Sequence, residues 1–328
     1  MTSRLTRRRL LAAGPALAMA PAVAGCARGA GGASSELRMM VPNSPGSGYD
    51  QTGRAVAMQL EDSGATGRVE VFNVIGAGGA VGLSRLLNER GNGNLIMTMG
   101  LGLIGATYAQ KSAARVADAT PIARLLSEPE GIVVQADSPF RRLPQLLAAW
   151  RSDPRALVVS GGSFPGGPDH VFAMELARAV GISPSSVSFR TYDGGGRLLS
   201  ALLGGRIDFA TSGMAEFQAQ VDNGQLRFLA TSGARREPTL PAIPTLREEG
   251  VDLTFTNWRG LLAPPGIGAT RRREMVHIVR QMRDSTAWKR AMESRSWSDS
   301  WLAGDEFAGY LRSQDRRMWR VMDGLDLP

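Results

Sequence analysis

Cysteine is nearly absent from this chain of 328 residues: Cys26 stands alone, beside two histidines, His170 and His277. One cysteine forms no intrachain disulfide, and this set cannot fill the four-ligand shell of a structural zinc. No metal site and no cofactor is expected. Aromatic residues make up only 6% of the chain. No zinc-finger spacing, RNP-type aromatic pattern or heptad basic region accompanies the arginines, which argues against nucleic acid as a partner. Acid is missing from the start of the chain, where no Asp or Glu precedes Glu36. That stretch holds Arg4, Arg7, Arg8 and Arg9 and then an apolar run from Leu10 to Ala24. Pro15 and Pro21 interrupt the run, and it falls short of the ~20 apolar residues of a spanning helix, so it reads as a signal peptide over 1–25.

Thr6-Arg7-Arg8-Arg9-Leu10-Leu11 resembles the twin-arginine export motif, an address read by a receptor. Val23-Ala24-Gly25-Cys26 resembles a bacterial lipobox, in which Cys26 becomes the lipidated first residue; the alternative is a small residue in a linker. Residues 26–36, rich in Gly, Ala and Ser, read as a flexible tether. The formal charge of +8 is partly this export address, since the chain from Cys26 onward keeps 34 basic residues against 30 acids.

The length exceeds what one core usually fills, and two lobes are expected. From Leu37 onward short apolar runs alternate with amphipathic stretches across Gly-rich turns, an α/β pattern. Strands are expected at 37–41, 68–74, 95–99, 131–135, 156–160, 188–192, 207–211 and 227–231. Helices are expected at about 50–61, up to 87, 143–151, 170–180 and 198–203, with two long ones at 270–297 and 305–323. In the last, Phe307, Leu311, Met318 and Met322 line one face.

Glycine, at 40 residues, is concentrated where strands meet helices. Such turns offer free N–H groups at the positive end of a helix dipole and bind anions. Gly76-Ala77-Gly78-Gly79-Ala80-Val81-Gly82 misses the dinucleotide fingerprint by one place, and Gly105 to Ser112 has Gln110 where a P-loop needs glycine. A nucleophile elbow at Ser163 fails because Pro165 takes the last position. A Ser163/His170 hydrolase therefore stands only as an alternative. What remains is a set of anion-accepting loops at strand ends, facing a cleft between lobes.

Six motifs in order resemble the extracytoplasmic solute receptors of tripartite tricarboxylate transporters, the Bug-type binding proteins. They are Pro42-x-x-Pro45-Gly46-x-Gly48-x-Asp50; Asn73-x-x-Gly76-Ala77-Gly78-Gly79; Gly161-Gly162-Ser163 through Gly166-Gly167-x-Asp169-His170; Tyr192-x-Gly194-Gly195; Ile243-Pro244-Thr245; and Asn257-Trp258-Arg259-Gly260. The resemblance implies a type II periplasmic-binding-protein fold, two α/β lobes with an interlobe cleft, divided as 37–136 with 233–328 and 137–232. It implies a monomeric receptor, not an enzyme, that closes on a small carboxylate and passes it to membrane transporter subunits. A sensor of the same fold without a transport role is the other reading.

Carried over, the ligand-binding residues are Ser44, Gly46, Ser47, Gly48 and Asp50 from the first loop, and Ser163, Gly166, Gly167, Asp169 and His170 from the central one. Gly76, Ala77, Gly78, Gly79 and Ser212 line the cleft. Asp50 reads equally well as a helix-start cap, as do Ser163 and Asp169. Arg54 and Arg259 suit a structural salt bridge better than a ligand, although a bidentate ligand contact stays open. Trp258 is expected in core or hinge packing. Phe164-Pro165 and Pro168 depart from the family's central loop, and Pro168 removes an N–H donor.

Overall fold

The computed structural model describes residues 37–323, apart from Asp193 and Ser296. The expected signal peptide, lipobox Cys26 and tether lie outside the described residues.

Two strand–loop–helix series organise the chain. In the first, β1 (Leu37–Val41), β2 (Val69–Asn73) and β3 (Leu95–Gly100) form a parallel set with β1 in the middle. The helices α1 (Gly48–Asp62), α2 (Ala80–Asn88) and α3 (Leu101–Ala109) follow the three strands. β3 is buried along its whole length, which fits a near-continuous apolar run in a covered parallel sheet.

β4 (Thr120–Gln135) runs for 16 residues and joins the two series. α4 (Leu143–Ser152) leads into the second set: β5 (Val158–Gly161), α5 (Pro168–Ala179), β6 (Ser188–Thr191), α6 (Gly195–Leu203), β7 (Phe209–Gly213), α7 (Met214–Asp222) and β8 (Leu226–Thr231). Here β5 sits between β6 and β7, again parallel. The chain returns through β9 (Thr256–Ala263), α8 (Ala269–Asp284), α9 (Thr286–Glu293), β10 (Ser298–Ala303) and α10 (Gly304–Asp323). The strand order is β2-β1-β3-β9-β4-β7-β5-β6, with β8 and β10 also on β4.

β4 is therefore shared. Its first part pairs with β9 and β10, and its last residues pair with β7 and β8. Ser232 fastens the crossover, because its Oγ accepts from the Glu130 N–H at 2.8 Å and donates to the Phe255 carbonyl at 2.7 Å. Val133, Leu198, Leu202, Met214, Phe217 and Phe228 form a separate small core on the second side.

Sequence periodicity locates most elements within two residues, but it gives no range for α3 and misses four others. The first part of β4 is hidden by Pro121 and by Glu128-Pro129-Glu130, residues that normally mark a strand edge or bulge. The pairing with β9 does slip, between Pro121 and Ala123 and again between Arg124 and Leu126. β9, β10 and α7 are also absent from the expected set. The helix expected over 270–297 is two helices and the approach to β10. Ser285 breaks it: its extended backbone and Oγ, accepting from the Trp288 N–H at 3.1 Å, start α9. The face expected on 305–323 holds, with Phe307, Leu311 and Met318 buried.

Candidate ligand cleft

Between the ends of β1 and β5 lies a cavity of about 60 Å³, lined in part by Ser47, Gly48, Tyr49, Gly162, Ser163 and Asp169. Gly194, Gly195, Glu216, Asn257 and Arg259 complete much of the wall. A water needs roughly 10–15 Å³ of such space, so this volume admits several waters or a compact ligand. A wider recess at the mouth is lined by Ile75, Gly76, Ala77, Gly78, Gly79, Phe164, Tyr192 and Arg197 among others.

The first loop is held by Asp50. Its carboxylate accepts from the Gly46 N–H at 2.9 Å, from Arg54 Nε at 2.9 Å and from Asn73 Nδ2 at 2.9 Å. Ser47 caps α1 by accepting from the Asp50 N–H at 3.3 Å. Burial pushes the Asp50 carboxyl up, but these hydrogen bonds outweigh it and hold it below the usual range. Asp50 thus shapes the loop from behind and does not line the cavity. Gly48, at the first position of α1, does. A Cβ there would meet Arg259 Nη2 and lie 3.1 Å from Glu216 Oε1, so any larger residue would have to displace the Arg259 guanidinium.

The central loop is held by Asp169 and His170. Asp169 Oδ2 accepts from the N–H groups of Gly162 at 2.6 Å and Ser163 at 3.1 Å, while Ser163 Oγ accepts from the Asp169 N–H at 3.2 Å. His170 Nδ1 accepts from the Gly166 N–H at 3.2 Å. Burial depresses the imidazole to about 4 and raises the Asp169 carboxyl to about 6 against its backbone donors. Ser163 and His170 are each committed to backbone groups, so the nucleophile and base of a hydrolase are not assembled.

α3 closes over this loop. A Cβ on Gly105 would fall 1.9 Å from the Gly166 carbonyl oxygen, and one on Gly78 would fall 2.8 Å from Phe164 Cβ. Tyr49 Oη accepts from the Leu103 N–H at 2.8 Å, satisfying a donor in the first turn of α3. Burial raises this phenol to about 12.

Charged groups form the inner wall. Arg259, on β9, meets Glu128 of β4 at 2.5 Å, and both are almost wholly buried. Arg54 pairs with Asp50 instead. Both arginines therefore have structural partners, but Arg259 also faces the cavity. Glu216, in the first turn of α7, reaches between Gly48 of α1 and Gly195 of α6. Its only close partner among the described residues is Ser212 Oγ at 3.5 Å. Burial, and then the Asp169 charge, push it up to about 8 against the pull of Arg259. Glu130 nearby is fully buried, with neither oxygen hydrogen-bonded among the described residues. Burial and the neighbouring acids Asp169, Glu128 and Glu216 raise it well above the carboxylate range.

Of the residues expected at the ligand, Ser47, Gly48, Gly78, Ser163, Gly167 and Asp169 line the cavity. Gly76, Ala77 and Gly79 lie at the mouth. Ser44, Gly46, Asp50, Gly166, His170 and Ser212 are not among the lining residues; Asp50 and His170 brace the loops and Ser212 bonds Glu216. Trp258 packs edge-on against Phe307 and Tyr310 as expected. Sequence reasoning passed over Tyr49, Glu216 and Asn257. The signal for Glu216 is its place three residues beyond the end of a buried strand, where the other loops were sought.

Known proteins resemble this chain over most of its described length. The description "Tripartite tricarboxylate transporter family receptor" matches residues 54–319. The "UPF0065 protein in gbd 5'region" of Cupriavidus necator is 28% identical over 249 residues, covering 75% of this chain and 71% of that protein. Protein BugT of Bordetella pertussis is 25% identical over 244 residues, 70% and 71% of the two chains. The solved structure of MatC (Rpa3494) from Rhodopseudomonas palustris with bound malate has a TM-score of 0.76 at 22% identity, covering 87% of this chain and 98% of that one. The fold is the two-lobe α/β fold of periplasmic binding proteins. By the match across 54–319, the chain belongs to the receptor family of the tripartite tricarboxylate transporters.

Proposed function

We infer that this protein is an extracytoplasmic receptor that encloses a small carboxylate in the cavity between β1 and β5 and hands it to a membrane transporter of the tripartite tricarboxylate type. The observation that carries this reading is the convergence of helix starts on one small space. Gly48 of α1 and Gly195 of α6 both line it, and Arg259 stands beside them. First-turn N–H groups lack intrahelical acceptors and the helix dipoles add positive potential, so a carboxylate is the complementary guest. Ser47 and Ser163 add hydroxyls at the same wall. The malate in MatC is a guest of this kind.

In this reading the lobes are 37–136 with 233–328 and 137–232, and the receptor acts as a monomer. Leaving the cell by the N-terminal signal, it is held to the membrane by lipid on Cys26; Cys26→Ser then moves it from the membrane fraction to the soluble one. The ligand test is a thermal-shift panel of mono-, di- and tricarboxylates. Ligand at 100 times Kd adds ~2.7 kcal/mol to stability, an easily read shift. A shift with a nucleotide or sugar and with no carboxylate would overturn the assignment.

A further inference from the structure

Resting on the carboxylate-receptor reading, we propose that Glu216 and Asn257 select the ligand by accepting a hydrogen bond from it, so that the guest is a carboxylate bearing a hydroxyl or an ammonium group and not a plain dicarboxylate. The shared chemistry is a donor on the ligand's carbon chain, close to the carboxylate held by the loop amides and Arg259.

Two acceptors on the cavity wall are short of donors. Asn257 is almost wholly buried, faces the cavity and leaves Oδ1 without a hydrogen-bond partner among the described residues. Glu216 has only the long contact from Ser212. Arg259 does not answer them. It is spent on Glu128, and its unpartnered Nε supplies one further donor suited to an anion. The wall thus offers acceptors beside its donors, with Glu216 set between Gly48 and Gly195.

Other acids sharpen the asymmetry. Around Glu216 stand Asp169 from α5, Glu128 and Glu130 from β4, and the cation Arg259 from β9. A second ligand carboxylate placed against Glu216 would add another negative charge to this set. A hydroxyl satisfies the acceptors without adding charge, and an ammonium also offsets the excess of acid. An unmatched buried acceptor costs as much as the desolvation of that group, which is why sites built for an OH or NH reject the analogue lacking it.

Matched ligand sets test this by calorimetry at pH 8.5: succinate, malate and aspartate share one carbon skeleton, and tricarballylate and citrate share another. The expected result is that malate or aspartate binds at least tenfold more tightly than succinate, or citrate than tricarballylate. Glu216→Ala should bring the members of the set within about threefold of one another, and the melting temperature of the unliganded variant checks its fold. Glu216→Gln separates the two donors, because malate or citrate binding survives an acceptor without charge whereas aspartate binding falls.

Succinate matching malate and aspartate, and tricarballylate matching citrate, in the wild type would overturn the proposal. So would an equal loss of all ligands in Glu216→Ala. Succinate binding that strengthens about fourfold between pH 8.5 and pH 6.5, as protonation of a group near 8 allows, and then equals that of malate would also overturn it, since a protonated Glu216 would then be donating to the ligand. In these outcomes the receptor reading stands; only the failure of every carboxylate to bind removes both.

Discussion

The first and central loops, 41–50 and 161–170, follow the same backbone path and fasten it with different chemistry. Gly46 and Gly166 hold the left-handed turn at φ 80° and 83°, and the residues after them, Ser47 and Gly167, cap their helices with nearly the same extended angles. In both, a turn N–H binds the side chain four residues on: Gly46 binds Asp50, and Gly166 binds His170. The first loop uses a buried carboxylate tied to a half-exposed Arg54. The central one uses a neutral imidazole stacked edge-on against Phe189, with ring centroids 4.6 Å apart. One geometry is reached through a charge network and through a packed ring, so the anchors differ in what disrupts them.

Removing the charged anchor has the largest expected effect. Asp50→Ala leaves the Gly46 N–H, Asn73 and Arg54 without their shared acceptor, a loss on the order of 3 kcal/mol in urea unfolding. His170→Gln, which removes one neutral hydrogen bond, should cost about 1 kcal/mol at pH 7. Equal losses would mean that the loops are not anchored as described.

Acid separates the two loops next. His170 is held near 4 in the folded chain against 6.5 when unfolded, so the unfolded state takes up the proton first. Stability from this group is full above pH 6.5 and declines as pH falls towards 4, by on the order of 3 kcal/mol at ~1.36 kcal/mol per unit. Asp50, shifted down, gives up its share only below the ordinary Asp range. Asp169 and Glu216 are shifted up and act in the opposite sense. The difference between wild-type and His170→Gln stability, followed from pH 7.5 to 4, isolates the histidine; a flat difference would contradict its burial as a neutral ring.

A smaller contrast concerns the turn glycines. Alanine at Gly46 meets no atom within 4 Å and bears only the left-handed strain of ~1–2 kcal/mol. At Gly166 it also presses on Met322 and on the Gly105 carbonyl, 3.0 and 3.1 Å away. Gly166→Ala should therefore cost more stability than Gly46→Ala and weaken carboxylate binding, because α3 is pushed off the central loop. Arg54→Ala closes the series at under ~1 kcal/mol, as expected for a pair with one half-exposed partner.

The internal likeness of the loops is partly visible in Ser44-Pro45-Gly46-Ser47 and Phe164-Pro165-Gly166-Gly167, where Pro and Gly fix the turn locally. The equivalence of Asp50 and His170 is not. An acid and an imidazole share no pattern until both are seen accepting from the same N–H. Asp50 was legible as a cap, but its partner Asn73 is 23 residues away. Glu216 was illegible because an acid in the first turn of a helix is commonplace on a surface; only the approach of Gly48 and Gly195 from distant segments makes it part of a wall.

Sequence alone determined the alternation of strands, glycine turns and helices, the two-lobe expectation and the glycine-rich ends of β1 and β5. These follow from local hydrogen bonding, dihedral limits and apolar period, which act over a few residues. Tertiary structure alone decided that β4 would span both halves despite its prolines, and that Asp50 would face away from the cavity. It also set Glu216, Asn257 and Arg259, carried on α7 and β9, around one small space. Those outcomes depend on burial and charge pairing between separate segments, 23 residues apart for Asp50 and Asn73 and more than a hundred for Glu128 and Arg259, which no local pattern encodes.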